Sequence, residues 1–94
     1  MLNKKEIKSL EERVLFEMYD NFIIKNSYKN IHSIKKKIKF EVLCKEYNKR
    51  IEFKKILRKL KNKGFIDDHG KSLKVAAVSE FGAKYILEKY FGKK

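Results

Sequence analysis

The sequence contains no proline and no tryptophan, one cysteine, and only four glycines, all in its last third. With Cys44 alone, neither an intrachain disulfide nor a cysteine-rich zinc site can form. The two histidines, His32 and His69, stand far apart without a companion ligand motif, so no metal is expected. A Gly-rich phosphate loop is missing. Ser9, Ser27, Ser33, Ser72 and Ser79 have no His/Asp partners in sequence context, and Glu11, Glu12 and Glu17 are spaced for a helix surface. Catalysis, a cofactor and a small-molecule ligand are therefore not expected. No apolar run approaches the roughly 20 residues of a membrane span, and charges interrupt "MLNKKEIKSLEERV" every few residues, which leaves no signal-peptide core. The expected location is the cytoplasm: the nucleoid, or the host cytoplasm for a viral protein. Linkers, repeats and low-complexity stretches are also missing. Residues 1–94 read as a single domain, with residues 1–8 and 92–94 as frayed ends.

Acidic residues are scarce too. Twelve Asp and Glu face 25 Lys and Arg, a net charge of +13, with a pI near 9.8. Such a surplus attracts nucleic acid or an anionic surface and says nothing about fold. Hydrophobic residues make up 43% of the chain, and they recur periodically, which argues for a packed core.

A first helix is predicted over about Lys4 to Asn26, with Ile7, Leu10, Val14, Met18 and Phe22 on one stripe. Within it, "SLEE" (Ser9 to Glu12) has the form of a capping box. "NSYKN" breaks the pattern, and "IHSIKKKIKF" alternates weakly, predicting a short strand around Ile34 to Ile38. A second helix is predicted over Phe40 to Tyr47, and a tight turn over Asn48 to Arg50. A third runs from Ile51 to Lys63 and packs through Phe53, Ile56, Leu57 and Leu60. Gly64 then suits a left-handed cap, with Phe65 as its apolar lock. "FIDD" and "SLKVAAVS" flank the Gly70 tip of a β-hairpin. Ser79 offers an N-cap to a last helix, "EFGAKYILEKYF".

"LRKLKNKGFI", a hairpin and "VSEFGAKYILE" together resemble the winged helix-turn-helix family of small transcriptional regulators, as found in archaea and their viruses. The positions carrying the resemblance are Lys63, Gly64, Phe65 and Ile66, then Ser79, Glu80, Phe81 and Gly82. It covers roughly Leu10 to Phe91. It implies an α+β fold of order α-β-α-α-β-β-α with a two-stranded wing and a C-terminal helix. It also implies sequence-specific binding of double-stranded DNA. The third helix would enter the major groove and the hairpin 65–79 would touch phosphate or the minor groove.

The face of the third helix stands on its own physics. Burying Phe53, Ile56, Leu57 and Leu60 turns Lys54, Lys55, Arg58, Lys61 and Asn62 outward, with Arg50 just before them. Arg58 suits a bidentate contact to guanine and Asn62 one to adenine, while the lysines suit phosphates. On the wing, the candidates are His69, Lys71 and Lys74, with Asp67 and Asp68 at the hairpin base opposing phosphate contact. Lys35, Lys36, Lys37 and Lys39 are further candidate phosphate contacts. Leu10 and Val14 with Phe81, Tyr85 and Tyr90 form a candidate homodimer seam, which would set two reading helices about 34 Å apart on a palindromic site. Cys44, on the apolar side of the second helix, reads as a buried thiol. The competing readings are an ordinary solvated basic face, an architectural chromatin protein binding without sequence preference, and a protein- or RNA-binding module of the same fold.

Overall fold

The computed structural model describes residues 6–68 and 72–92. Within them lie five α-helices and a three-stranded antiparallel sheet of order β1-β3-β2. In chain order these are α1 (Leu10–Asp20), β1 (Lys29–Asn30), α2 (Ile31–Lys37), α3 (Phe40–Glu46), α4 (Phe53–Asn62), β2 (Ile66–Asp67), β3 (Val75–Val78) and α5 (Glu80–Ile86). A π-helical turn, Leu87–Phe91, continues α5.

α1 is the hub, packing against α3, α4, α5 and β3. Ser9 caps it by accepting the Glu12 N–H at 3.1 Å, as the capping box predicts. The helix begins at Leu10, but the chain before it is not loose. Ile7, expected in a frayed end, is 1% exposed, and its carbonyl accepts the Tyr47 hydroxyl at 2.6 Å. The far end stops at Asp20 instead of reaching Asn26. Phe22 turns left-handed (φ 61). Its N–H bonds the Tyr19 carbonyl, and the Ile23 N–H bonds the Met18 carbonyl. That is a Schellman stop with an aromatic residue where glycine is usual.

The strand expected at Ile34 to Ile38 is helix, and the strand lies earlier, at Lys29–Asn30. The observed order therefore has one helix more than expected. Asn30 caps α2 by accepting the His32 N–H at 2.8 Å. Ile34 and Ile38 are buried and Ile31 is half-buried, a helical spacing that the intervening lysines disguise as alternation.

α3 and α4 both end in left-handed caps, Asn48 (φ 53) and Gly64 (φ 82). After Gly64, the Phe65 N–H bonds the Leu60 carbonyl at 2.9 Å, the lock expected of it. β2 pairs with β3 in the register Ile66↔Val78 and Asp67↔Ala77, and β1 flanks the other edge as Lys29↔Ala76 and Asn30↔Val75. β3 is thus the central strand. That position accounts for its apolar "VAAV", since Ala76, Ala77 and Val78 are buried.

Two polar knots hold the helices together. Arg13, buried on α1, donates to Glu17 Oε2 at 2.9 Å and to Glu46 Oε2 at 2.6 Å, tying α1 to α3. Burial alone would lower its pKa, but its bonds to Tyr47, Glu17 and Glu46 raise it above the ordinary arginine value. Glu12 accepts the hydroxyls of Tyr85 (2.8 Å) and Tyr90 and pairs with Lys89 at 2.9 Å, tying α5 and its π turn to α1.

Candidate nucleic-acid interface

α4 is a strongly two-faced helix. Phe53, Ile56, Leu57 and Leu60 are all buried, while Lys54, Lys55, Arg58, Lys59 and Asn62 are all exposed. Ten residues at about 1.5 Å each make a rod of roughly 15 Å. A helix about 10–12 Å across fits a major groove about 12 Å wide. The α3–α4 connection adds Lys49 and Arg50, and one groove is lined by Lys49, Arg50, Glu52, Lys55, Arg58, Lys59 and Asn62. Among the described residues, none of Lys54, Lys55, Arg58 and Lys59 has a carboxylate within ion-pair distance.

The sequence-derived set changes at three points. Lys59 and Lys49 join it. Both were legible: Lys59 lies on the outward arc between Lys55 and Asn62, and Lys49 adjoins Arg50 in the turn. Lys61 borders the buried stripe and leaves the free face, because its ammonium pairs with Asp68 at 3.0 Å. The acidic hairpin base is correspondingly weaker than it looks, since Asp68 is neutralised by Lys61 and only Asp67 is exposed.

A second basic surface adjoins the first. Lys35, Lys36 and Lys37 form the last turn of α2, and Lys39 (φ 56) is the left-handed link into α3. His32, Lys35, Lys36 and Lys39 line one hollow with Glu41, and Lys35 also lines the next with Cys44, Lys45, Lys49 and Arg50, beside Glu41 and Glu52. The cations therefore run from α2 past α3 to α4. Cys44, expected to be buried, is half-buried at the floor of this track. Burial raises its thiol pKa, outweighing the opposing bond from Ile51 and the nearby charge of Lys35.

On the hairpin, Lys74 is exposed just before β3, and its carbonyl accepts the Ile31 N–H at 3.0 Å. The wing candidates His69 and Lys71 lie outside the described residues.

The expected dimer seam does not hold as drawn. Leu10 and Val14 are 4% and 0% exposed in the protomer's own core, so neither offers surface to a partner. Tyr85 and Tyr90 are half-buried with their hydroxyls on Glu12, and Tyr85 stacks on Phe65 at 4.7 Å. Phe81 does remain outside, 59% exposed, stacked on Phe65 at 5.4 Å. The other large exposed apolar residues near α5 are Leu87, Phe91 and, after α1, Phe22.

Among the described residues, no group of His, Cys, Asp and Glu could hold a metal ion, and no helix is long and apolar enough to cross a membrane. No family model, no curated protein and no solved structure matches the chain.

Proposed function

We propose that the chain is a winged helix-turn-helix protein that binds double-stranded DNA and regulates transcription. In this reading α3 and α4 are the helix pair, α4 enters the major groove, and the β2–β3 hairpin is the wing. The observation that carries it is the exposed face of α4: four cations and Asn62, joined by Lys49 and Arg50, without a carboxylate partner among the described residues. A merely solubilising surface has no need to gather its charge on one helix beside a concavity. Lys49, Lys55 and Lys59 are the phosphate contacts, and Arg50, Arg58 and Asn62 are placed to read bases. Lys36, Lys37 and Lys39 extend the contact along the phosphate backbone. Catalysis and cofactors have no part in the reading, and the cytoplasm is its proposed place of action.

The test is a duplex-binding titration with a Lys55→Ala, Arg58→Ala double variant. Both side chains are exposed, so the fold should be untouched. Two such contacts at about 1–3 kcal/mol each correspond to a loss of roughly 30-fold to about 20,000-fold. A variant that binds duplex DNA as tightly as the parent sinks the reading. Selection from random duplexes at two salt concentrations separates a regulator from an architectural protein. The former keeps a large preference for one sequence, while the latter loses affinity steeply with salt whatever the sequence.

A second copy of the chain is the proposed partner, now through the outer face of α5. On this helix Phe81 and Phe91 stand equally far before and after Ile86, and so do Lys84 and Glu88. Two such helices, antiparallel about a two-fold axis near Ile86, would bring Lys84 towards the partner's Glu88 and Phe81 towards the partner's Phe91, which is itself stacked on Phe16 of its own chain. Leu87, 47% exposed, would close the middle. Self-complementarity of this kind is what a two-fold interface requires.

A further inference from the structure

The connection between β2 and β3 is anchored at one point that DNA contact does not use. The Asp68 side chain is 5% exposed. Its carboxylate takes the Lys61 ammonium at 3.0 Å on Oδ1 and at 3.2 Å on Oδ2, and it accepts the Leu73 N–H at 3.2 Å. Leu73 is itself buried, with a left-handed backbone (φ 54) that is unfavourable for a leucine. Burial alone would raise the Asp68 carboxyl, yet its bonds to Lys61 and Leu73 hold it below the ordinary carboxylate range. One carboxylate thus joins the last turn of α4 to both sides of the hairpin connection. A carboxylate with so little exposed surface is costly to leave without its cation, although its bonds to Lys61 and Leu73 are only partly buried.

We infer that Asp68 is a positioning residue: with Lys61 it locks the root of the hairpin onto α4 and so sets the hairpin's placement against the duplex that α4 enters. The inference rests on the DNA-binding reading above, and it reassigns Lys61 from phosphate contact to lock. It also reverses a sign. If charge alone mattered, Asp68→Asn would raise the net charge by one, free Lys61 and tighten DNA binding, whereas Lys61→Met would weaken it. If the lock matters, both changes weaken binding.

The experiment titrates a fluorescently labelled duplex with the full chain and with Asp68→Asn, Lys61→Met, the double variant and Lys61→Arg. Circular dichroism checks that each is folded at the assay temperature. The lock predicts losses of about five- to tenfold in each single variant, no further loss in the double, and near-parental binding by Lys61→Arg. Hydroxyl-radical footprints should lose protection beside the α4 segment while keeping it at the centre, which a general loss of stability would not do. Tighter binding by Asp68→Asn overturns the inference, and so do single variants within twofold of the parent. A parent chain that binds no duplex refutes the DNA-binding reading instead. Amide exchange at Leu73 then decides the lock itself: acceleration of about tenfold in both single variants upholds it, and unchanged exchange overturns it.

Discussion

Replacing Gly82 by alanine sets two effects against each other, and the structure decides between them. Gly82 is the third residue of α5, where alanine is favoured over glycine by about 1 kcal/mol on helix propensity alone. A Cβ at this position, however, would lie 2.1 Å from the Phe65 carbonyl oxygen, 2.9 Å from its carbon and 3.0 Å from the Phe65 Cα. Carbon–oxygen contacts settle near 3.3 Å, so α5 and Phe65 must part by roughly 1 Å. Neither side can yield freely. The Phe65 carbonyl accepts the Ser79 N–H at 2.9 Å. The Ser79 hydroxyl donates to the Gly64 carbonyl at 2.6 Å while accepting the Gly82 N–H at 2.9 Å. Overpacking costs about 1–3 kcal/mol, and each buried bond lengthened in this knot adds about 0.5–1.5 kcal/mol. Net of propensity, the change should destabilise the protein by about 3 kcal/mol. At 4–8 °C per kcal/mol for a domain of this size, the melting temperature should fall by about 12–24 °C. Thermal unfolding followed by circular dichroism measures it. Gly64→Ala is the contrast: its Cβ meets only the Phe81 ring at 3.8 Å, and the strain lies in φ +82, so a cost of about 1–2 kcal/mol is expected. A Gly82→Ala protein that melts at or above the parent temperature, or above Gly64→Ala, refutes the close-approach argument.

Glu12→Gln should weaken the anchor of α5 by about 1–2 kcal/mol, because the amide keeps one acceptor but loses the charge facing Lys89 and one of two hydroxyl sites. Faster amide exchange confined to α5 and its π turn would show this, and an unchanged pattern would mean that the two tyrosines hold the helix through packing alone. Leu87→Glu places a charge at the centre of the proposed two-fold face without touching the core, and should sediment as a monomer where the parent sediments as a dimer. A dimeric Leu87→Glu protein, or a monomeric parent at concentrations well above micromolar, removes α5 from the interface.

What could be read from the residues follows from which signals are local. The Ser9 cap, the Gly64 stop and the Ser79 cap are short-range devices, each decided within a few residues, and all three occur where the spacing puts them. The buried stripe of α4 is equally local, since a period of three and four residues cannot be satisfied by another element type. Ile34 to Ile38 was misread because lysines filled the exposed arc of α2, leaving an apolar–polar rhythm that fits a strand as well as a helix. The α1 stop at Phe22 gave no warning, because an aromatic residue occupies the position where glycine or asparagine would have marked it. The role of Lys61 and the burial of Arg13 depend on partners seven and thirty-three residues away. Nothing in local periodicity could supply those partners.

Two residues of the expected dimer seam, Leu10 and Val14, lie in the protomer's own core for a more instructive reason. Leu10 and Val14 carry the same signal whether they face a partner or the centre of their own fold, because an apolar stripe reports burial without saying against what. α1 turned out to be surrounded by α3, α4, α5 and β3.

The scarcity of acids sharpens the functional argument more than the abundance of bases does. Glu17 and Glu46 are held by Arg13, Glu12 by Lys89, Glu11 by Lys63, Asp68 by Lys61 and Glu80 by Lys25. Five of these six carboxylates join residues of different elements: α1 to α3, to the end of α4 and to the π turn, α4 to the hairpin, and α5 to the connection after α1. Half of the chain's twelve acidic residues thus sit in such pairs, and the cations they neutralise are framework cations. Among the described residues, cations outside these pairs remain on the outer face of α4 and along the track from α2. Bringing lysines and arginines together there works against folding, and Glu41 and Glu52 are the carboxylates that share the hollows they line. A polyanion laid along the track would remove that repulsion as it bound.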